Sequence, residues 1–193
     1  MAKTRKEQIY QVAGELFKQK GYHATSMRDL ASQLGIQGGS LYAHISGKEE
    51  LLVEVIGHSA DLFDAALEPL RHLEAPPTER LRLALAAHID VVAHNLNSAT
   101  VFFHEWQHLS PESHRRLAER RDRVESFYRD LLAEGMATGV FRPDLDIKLA
   151  AFLILSAANW TYVWYRSDGP LGPQDIADRY TAMLLRGLLL KAP

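Results

Sequence analysis

Residues 25–52 restrict the fold more than any other part of this sequence, because they predict two short helices separated by a tight turn. Thr25 or Ser26 can cap the first helix, since a side-chain oxygen there accepts hydrogen bonds from the free N–H groups of the first turn. Gly35 ends that helix, because glycine readily adopts the left-handed conformation found at helix C-termini. The chain can therefore turn sharply and begin a second helix near Gln37.

Two short helices joined in this way are typical of a helix-turn-helix unit, which binds DNA by placing its second helix in the major groove. The spacing within this second helix predicts that Leu41 and Tyr42 return to the core. The positions left facing outward are Gln37, Gly38, Ser40 and His44.

The end of the segment resembles a known signature. Residues 41–51, LYAHISGKEEL, match the LYxHxxxKExL pattern of the TetR family of one-component repressors. The resemblance implies an all-helical homodimer whose small N-terminal domains bind double-stranded operator DNA, while its larger C-terminal domains bind a small-molecule effector that releases the DNA. It also implies phosphate contacts by Tyr42, His44 and Lys48, and places Gln37 and Ser40 on the reading helix. The full predicted DNA-binding set is Thr25, Ser26, Arg28, Gln37, Gly38, Gly39, Ser40, Tyr42, His44 and Lys48.

The start of the reading helix departs from the family. Where the family commonly has a Ser-x-Gly-Thr sequence, residues 37–40 read Gln-Gly-Gly-Ser. The additional glycine weakens the helix by up to ~1 kcal/mol, and it removes a side chain from the side that faces DNA. The resemblance therefore leaves open which bases are read.

The charge distribution fits DNA binding at the N-terminal end. The 193 residues carry a net charge of −2, yet residues 1–50 hold seven Lys/Arg residues against five Asp/Glu residues. This small basic excess predicts that a few placed side chains make the phosphate contacts. The candidates are Lys3, Arg5, Lys6, Arg28 and Lys48.

Composition excludes several other classes of protein. Hydrophobic residues make up 47% of the chain and charged residues 24%, which is ordinary for a globular protein. The absence of cysteine excludes a disulfide framework and any thiolate metal site. No basic and apolar leader opens the sequence, so a cytoplasmic location is expected, and nothing in the sequence suggests a cofactor.

Hydrophobic periodicity predicts an all-α fold, which the resemblance makes a TetR-like one. A three-helix DNA-binding domain is expected at residues 1–47, and an effector-binding and dimerisation domain at residues 48–193. The first helix is predicted at about 5–20, and a long fourth helix runs from Lys48 toward Pro69. Further helices are predicted at about 78–95, 97–109, 111–138, 146–166 and 173–190.

Residues 149–165, LAAFLILSAANWTYVWY, are apolar almost all round. They fall short of the ~20 apolar residues that a bilayer span requires, and they include Asn159, so we expect a buried helix and no membrane partner. By the family resemblance, this helix and the last one, which begins near Asp175, pair with their symmetry mates in a four-helix dimer interface.

Residues 104–108, His-Glu-Trp-Gln-His, match the H-E-x-x-H pattern of zinc peptidases, so a zinc-dependent hydrolase is an alternative function. His114 stands where the extended pattern places a third ligand. That pattern also needs a glycine, but Pro111 occupies its place and cannot adopt a positive φ. The absence of a plausible Met-turn and of strand-like patterns also argues against a peptidase, so we expect neither catalytic residues nor a metal.

Aromatic residues in the C-terminal part can line an effector cavity or can simply form the core. The segments FFHEWQHLSP and NWTYVWYRSDGPLGPQDIAD also resemble a TetR subgroup that controls fatty-acid, phenylacetate and sterol-ring breakdown and responds to acyl-CoA thioesters. That resemblance implies basic side chains that hold the phosphates of coenzyme A, although the same arginines can instead form a solvated stripe. A TetR-like regulator with an effector other than a coenzyme A thioester is the second alternative. The predicted effector-binding set is Phe102, Phe103, Trp106, Arg116, Arg120, Arg123, Phe127, Asn159, Trp160 and Arg166.

Overall fold

A computed structural model describes residues 4–188, and among them the regular elements are helices without a strand, which confirms the predicted all-α class. The N-terminal helices are α1 (Arg5–Lys20), α2 (Met27–Gln33) and α3 (Gly38–Tyr42). The others are α4 (Lys48–Arg71), α5 (Pro77–His94), α6 (Leu96–His104), α7 (Pro111–Ala137), α8 (Ile147–Asn159), α9 (Thr161–Trp164) and α10 (Pro173–Leu188). A short 3₁₀ turn, Trp106–His108, lies between α6 and α7.

The chain divides into two compact units. The first contains the chain up to Ala60 together with Asn95–Glu119, and the second contains Asp61–His94 together with the chain from Arg120 onward. The helix-turn-helix therefore shares its unit with α6 and the start of α7. No sequence pattern indicated this association, because residues 95–119 lie far downstream of α1–α3.

Local sequence explains where α1 begins and which face it buries. The hydroxyl of Thr4 accepts a hydrogen bond from the N–H of Glu7 at 3.2 Å, and the Glu7 carboxylate accepts one from the N–H of Thr4 at 2.6 Å. This capping box satisfies two N–H groups at the start of the helix. The helix then buries the apolar stripe that includes Ile9, Ala13 and Phe17 in the core of the first unit.

The turn between α2 and α3 has the geometry that the sequence predicted. Gly35 adopts a φ of 64°, which side chains with a Cβ rarely do. The N–H of Ile36 donates to the carbonyl of Ala31 at 3.0 Å, and the N–H of Gly35 donates to the carbonyl of Ser32 at 3.1 Å. This pair of bonds is the Schellman motif, which ends α2 and redirects the chain into α3.

In the second unit, Arg80 holds the end of α4. Its guanidinium donates to the backbone carbonyls of Leu70 at 3.2 Å and Arg71 at 3.4 Å, and to the Glu134 carboxylate at 2.6 Å. Arg80 is buried, and these bonds satisfy carbonyl groups that a helix C-terminus leaves unpaired. Helix α10 packs along α5 in the same unit.

Two helix predictions need correction. The helix expected at 97–109 ends at His104, and the helix expected at 146–166 is interrupted at Trp160 between α8 and α9. At that interruption the hydroxyl of Thr161 donates to the carbonyl of Ala158 at 2.6 Å, and the N–H of Val163 bonds to the carbonyl of Trp160 three residues back. Such short-range bonds compete with the regular helical ladder.

The apolar segment of α8 and α9 is not the buried helix that its composition predicted. Its face toward α5 is buried at Ala151 and Ile154, but Leu149 is 64% exposed and Leu153 is 61% exposed. The stretch Ile147–Trp164 is also long and apolar enough to meet the length and composition expected of a membrane span, contrary to our expectation from its length. This segment therefore leaves an apolar face that the second unit does not cover.

Candidate DNA-binding surface and effector site

Eight of the ten predicted DNA-binding residues have exposed positions, and we refer to these eight as the reading surface. Tyr42 is 56% exposed, which corrects the core position that its spacing predicted. The space around Gly38 and Gly39 is open, since a Cβ atom at either position would meet nothing within 4 Å. The reading surface consists of Ser26, Arg28, Gln37, Gly38, Gly39, Ser40, Tyr42 and His44.

Ser26 is the N-cap of α2. Its hydroxyl accepts a hydrogen bond from the N–H of Asp29 at 3.1 Å, and the Asp29 carboxylate accepts one from the N–H of Ser26 at 2.8 Å. The ammonium of Lys20 lies 3.0 Å from the same carboxylate. The hydrogen bonds from Ser26, and then the one from Lys20, hold the pKa of the Asp29 carboxyl well below its usual range, so the cap stays charged at neutral pH.

Thr25 has to be removed from the predicted set of DNA-contacting side chains. It is only 1% exposed, and its hydroxyl donates to the carbonyls of Gly21 at 2.9 Å and Leu16 at 3.3 Å. These bonds tie the loop of residues 21–25, which we refer to as the α1–α2 loop, to the end of α1. The side chain therefore supports the helix-turn-helix from inside.

Lys48 was predicted to contact a phosphate, but its ammonium group is directed inward. It donates to the backbone carbonyls of Tyr22 at 2.8 Å, Thr25 at 3.0 Å and His23 at 3.3 Å. It also lies 4.3 Å from the centre of the Tyr22 ring, in cation–π contact. An ammonium has three N–H donors, and all three have partners here. Lys48 thus joins the start of α4 to the α1–α2 loop.

The other basic candidates lie at the N-terminal end of α1. Arg5 donates to the side-chain oxygen of Gln8 at 3.0 Å, and the Lys6 ammonium lies 5.7 Å from the centre of the Tyr10 ring. Both residues are exposed. Lys3 lies outside the described residues.

The H-E-x-x-H residues do not lie on one helix. Helix α6 ends at His104, Glu105 caps it, and His108 belongs to the 3₁₀ turn. The two ring nitrogens of His108 are both engaged: Nδ1 lies 2.9 Å from Nε2 of His23, and Nε2 lies 3.3 Å from the Glu105 carboxylate. The zinc-peptidase pattern requires its two histidines one turn apart on a helix, and this geometry is absent.

His114, the third histidine of that pattern, has a different partner. The indole N–H of Trp106 donates to Nε2 of His114. Within residues 4–188 there is no group of three or more histidine, aspartate or glutamate residues arranged to hold a metal ion. The residues of the zinc alternative therefore serve as hydrogen-bonding groups within the first unit.

The predicted effector-binding aromatics separate into the two units. Phe102 is buried in the core of the first unit, and the rings of Phe103 and Trp106 lie 5.0 Å and 5.8 Å from its ring. Phe127 is buried in the second unit, while Trp160 is 59% exposed there. Phe102 and its neighbours therefore fit the alternative interpretation, in which the aromatic residues form the core and do not line a cavity.

The predicted arginines are mostly paired with carboxylates of the second unit. Arg120 lies 3.0 Å from Asp61, and Arg123 lies 2.7 Å from Asp64, so α7 and α4 share two ion pairs. Arg166 pairs with Asp168 at 2.9 Å. Arg116, in the first unit, is exposed and has no hydrogen-bond or ion-pair partner among residues 4–188. Exposed pairs of this kind contribute only ~0–1 kcal/mol each.

Asn159 is the partly buried end of a polar chain that the sequence did not reveal. Its side-chain oxygen lies 2.8 Å from Nε2 of His88, whose Nδ1 lies 3.3 Å from the hydroxyl of Tyr128. His88 is 1% exposed, and burial lowers its pKa to about 4, against a smaller opposing effect of the bond to Asn159. The imidazole is therefore neutral at pH 7, and Nε2–H donates to Asn159. A histidine in the apolar stretch LALAAHIDVV was the one available signal.

Two families match this sequence. The family described as bacterial regulatory proteins of the tetR family matches residues 9–55, and the one described as the C-terminal domain of tetracyclin repressor-like proteins matches residues 74–188. The chain belongs to the TetR family. Both the predicted family and the predicted TetR-like fold are thereby confirmed.

Several relatives match nearly the whole chain, and three of them are described below. The transcriptional repressor KstR2 of Mycobacterium tuberculosis is 31% identical over 96% of this chain and 93% of its own, and its structure gives a TM-score of 0.90. PfmR from Thermus thermophilus is 36% identical over 93% of this chain and 97% of its own, with a TM-score of 0.86. AibR, solved with isovaleryl coenzyme A and operator DNA, is 29% identical over 94% and 98%, with a TM-score of 0.86.

These TetR-family relatives bear on two of the predictions. The likeness to AibR supports the predicted resemblance to acyl-CoA-responsive regulators, because that protein was solved with an acyl-CoA and with DNA. The tetR family model and KstR2 are both described as transcriptional regulators.

Proposed function

We propose that this TetR-family protein is a homodimeric repressor that binds palindromic operator DNA and is released by an acyl-CoA thioester. The observation that carries the proposal is the reading surface, whose polar residues stand exposed on a helix-turn-helix with a capped first helix and a Schellman turn. Residues 1–47 are then the DNA-binding domain, and residues 48–193 bind the effector and dimerise. A protein with this role works in the cytoplasm, where the DNA is.

The exposed apolar side chains of α8 and α10 support dimerisation. Leu149 and Leu153 on α8 and Met183 on α10 are each more than 60% exposed, which is costly for an isolated chain in water. In a two-fold dimer, the same face of a second copy covers these side chains. Pairing of this kind also explains why Ile147–Trp164 is so apolar, without requiring that the segment span a membrane.

A dimer explains how an effector can release DNA. Two reading helices must enter successive major grooves ~34 Å apart, so a change in their separation prevents both from binding at once. We refer to the dimer with its two reading helices too far apart to bind together as the spread state. An effector must bind this state more tightly by ~3–5 kcal/mol to shift the protein from mostly DNA-bound to mostly DNA-free. Burial of an acyl group supplies energy of this size at ~25 cal/mol per Å² of apolar surface.

The effector class is supported by the arginines and by the relatives. Coenzyme A carries several phosphate charges, and guanidinium groups bind phosphate with paired hydrogen bonds. In the second unit, Arg120 and Arg123 would exchange an aspartate for a phosphate. The aromatic residues Phe127 and Trp160, with the polar Asn159, complete the proposed acyl end of the site.

The first test is a thermal-shift screen of the purified protein against acyl-CoA thioesters, the corresponding free acids and zinc. A ligand that binds the folded state raises the melting temperature. We expect one class of thioester to raise it and its free acid to leave it unchanged. If no thioester does so, the acyl-CoA assignment is wrong and the chain remains a TetR-family regulator with another effector.

The second test selects DNA from a pool of random duplexes and measures the mass of the protein in solution. We expect a palindromic duplex and a mass of two chains. Leu153→Glu should give monomers and weaken binding to that duplex, while Leu73→Glu, an exposed leucine outside the apolar face, should do neither. Recovery of no preferred duplex would contradict the repressor assignment.

A further inference from the structure

The α1–α2 loop is held by a side chain from the far end of α6. The backbone N–H of Tyr22 donates to the carboxylate of Glu105 at 3.2 Å. The same carboxylate lies beside Gly21, which adopts a φ of 82°. Glu105 therefore fixes the position at which the chain leaves α1 and approaches α2.

His108 holds the same loop through two further contacts. Its ring stacks on the ring of Tyr22, with centroids 5.7 Å apart and planes 16° apart. Its Nδ1 lies 2.9 Å from Nε2 of His23, within hydrogen-bond distance. Its Nε2 lies 3.3 Å from Glu105, and the side chains of Glu105 and His108 are only 13% and 21% exposed. Such shielded contacts are screened much less by salt than surface pairs.

A second set of contacts reaches the other side of the helix-turn-helix. The Glu49 carboxylate, at the start of α4, accepts hydrogen bonds from the N–H of Ser110 and the hydroxyl of Ser113, both at 3.1 Å. The bonds from Ser110, and then that from Ser113, lower the pKa of Glu49, so it stays ionised. Residues 105–113 thus contact the chain both before α2 and after α3.

We propose that Glu105 and His108 are positioning residues for DNA binding, which hold the α1–α2 loop so that the helix-turn-helix is fixed to the α6–α7 connection. The proposal rests on the proposed DNA-binding function. The proposal assigns a role to Glu105 and His108 of the H-E-x-x-H pattern. That role requires neither contact with DNA nor a bound metal. It also means that a rearrangement of residues 105–113 displaces the N-terminus of α2, where the reading surface begins.

The experiment compares variants on two DNA duplexes: the palindrome that the wild-type chain selects, and a random duplex of the same length. Glu105→Ala removes the acceptor for Tyr22 and the partner of His108, whereas Glu105→Gln keeps an oxygen acceptor. Gln107→Ala is the matched control, because Gln107 lies exposed in the same 3₁₀ turn and its side chain donates to the nearby carbonyl of His104 at 3.5 Å. His108→Ala provides a second variant should Glu105→Ala fail to fold.

We expect Glu105→Ala and His108→Ala to weaken binding to the selected duplex about tenfold and to the random duplex less than threefold, since random DNA tolerates a displaced helix. Glu105→Gln should retain most of the affinity, and Gln107→Ala all of it. The double variant should lose less than the product of the two single losses, because both residues hold one loop.

Two results would overturn the proposal. One is binding of both single variants within twofold of wild type on the selected duplex. The other is an equal loss on both duplexes that follows a fall in melting temperature, which would indicate a general structural role. If the wild-type chain selects no duplex, the proposed DNA-binding function fails first, and the positioning proposal fails with it.

Discussion

The ammonium group of Lys48 lies 2.8 Å from the backbone carbonyl oxygen of Tyr22, and it also donates to the carbonyls of His23 and Thr25. One side chain from the start of α4 thereby satisfies three acceptors of the α1–α2 loop. The residue that the family resemblance assigned to phosphate binding thus has its donors occupied within the protein.

Lys48→Met should therefore weaken operator binding by distorting the loop and not by removing a phosphate contact. Loss of a hydrogen-bonding charge from a half-buried site lowers the free energy of unfolding by ~1–3 kcal/mol. The slope of log K against log salt should stay at the wild-type value, whereas Arg28→Ala should reduce it by about one. A reduced slope for Lys48→Met would instead indicate that Lys48 contacts a phosphate.

Gly35 and Gly39 offer a matched pair of substitutions in open space. Gly35→Ala places a Cβ on a residue with a φ of 64° and should lower the free energy of unfolding by ~1–2 kcal/mol. Gly39→Ala, inside α3 and without a positive φ, should raise it by ~0.5–1 kcal/mol. Urea unfolding measures both free energies. A change of the same sign in the two variants would contradict the positive φ of Gly35 or the helical position of Gly39.

Gly39→Ala should also weaken operator binding despite its added stability, because its methyl group projects from the reading surface. A fluorescence titration with the selected duplex measures the effect. Unchanged affinity would mean that Gly39 lies away from the DNA.

Tyr42→Phe and Gln37→Ala should separate phosphate contact from base reading. If the Tyr42 hydroxyl binds a phosphate, its loss weakens specific and random DNA by a similar factor. Gln37 stands at the start of α3 and is exposed, so its loss should change which bases are preferred. Binding to a set of single-base operator variants tests both, and equal effects of the two substitutions would contradict these roles.

His88 should make stability depend on pH. Its folded-state pKa is lowered from 6.5 to about 4, so below pH 6.5 the unfolded chain binds a proton that the folded chain does not. Its contribution is complete above pH 6.5 and is lost as the pH falls toward 4. At 1.36 kcal/mol per pKa unit, the loss is about 3 kcal/mol.

Urea unfolding at fixed protein concentration, between pH 7 and pH 4.5, tests this prediction. Wild-type stability should fall with pH more steeply than that of His88→Asn, in which the group no longer titrates. Equal slopes for the two proteins would mean that His88 accepts a proton in the folded state.

Features that depend on neighbouring residues were predicted well from the sequence. The bounds of α1, the cap at Ser26 and the positive φ of Gly35 follow from hydrogen bonds within a few residues, which residue types determine directly. The signature at residues 41–51 was equally reliable, because the family has a characteristic pattern there. The exposure of Arg28, Gln37 and Ser40 followed from their places on short helices.

Features that depend on distant packing were not predictable. Thr25 satisfied every local rule for an exposed cap, yet the loop turns its hydroxyl toward the carbonyls of α1. The histidines of the H-E-x-x-H pattern have a helical spacing, but α6 ends at the first of them. Nothing in the periodicity places His108 beside His23, because that contact joins residues 85 positions apart.

The family, the all-α class and the helix-turn-helix with its Schellman turn could all be predicted from the sequence, since they arise from short-range hydrogen bonds and side-chain periodicity. Tertiary structure alone decided which unit receives residues 95–119, where the ammonium of Lys48 is directed, and which face of α8 stays uncovered. The hydrophobicity of a side chain indicates that it avoids water. Only the packing of the whole chain decides which residues cover that side chain.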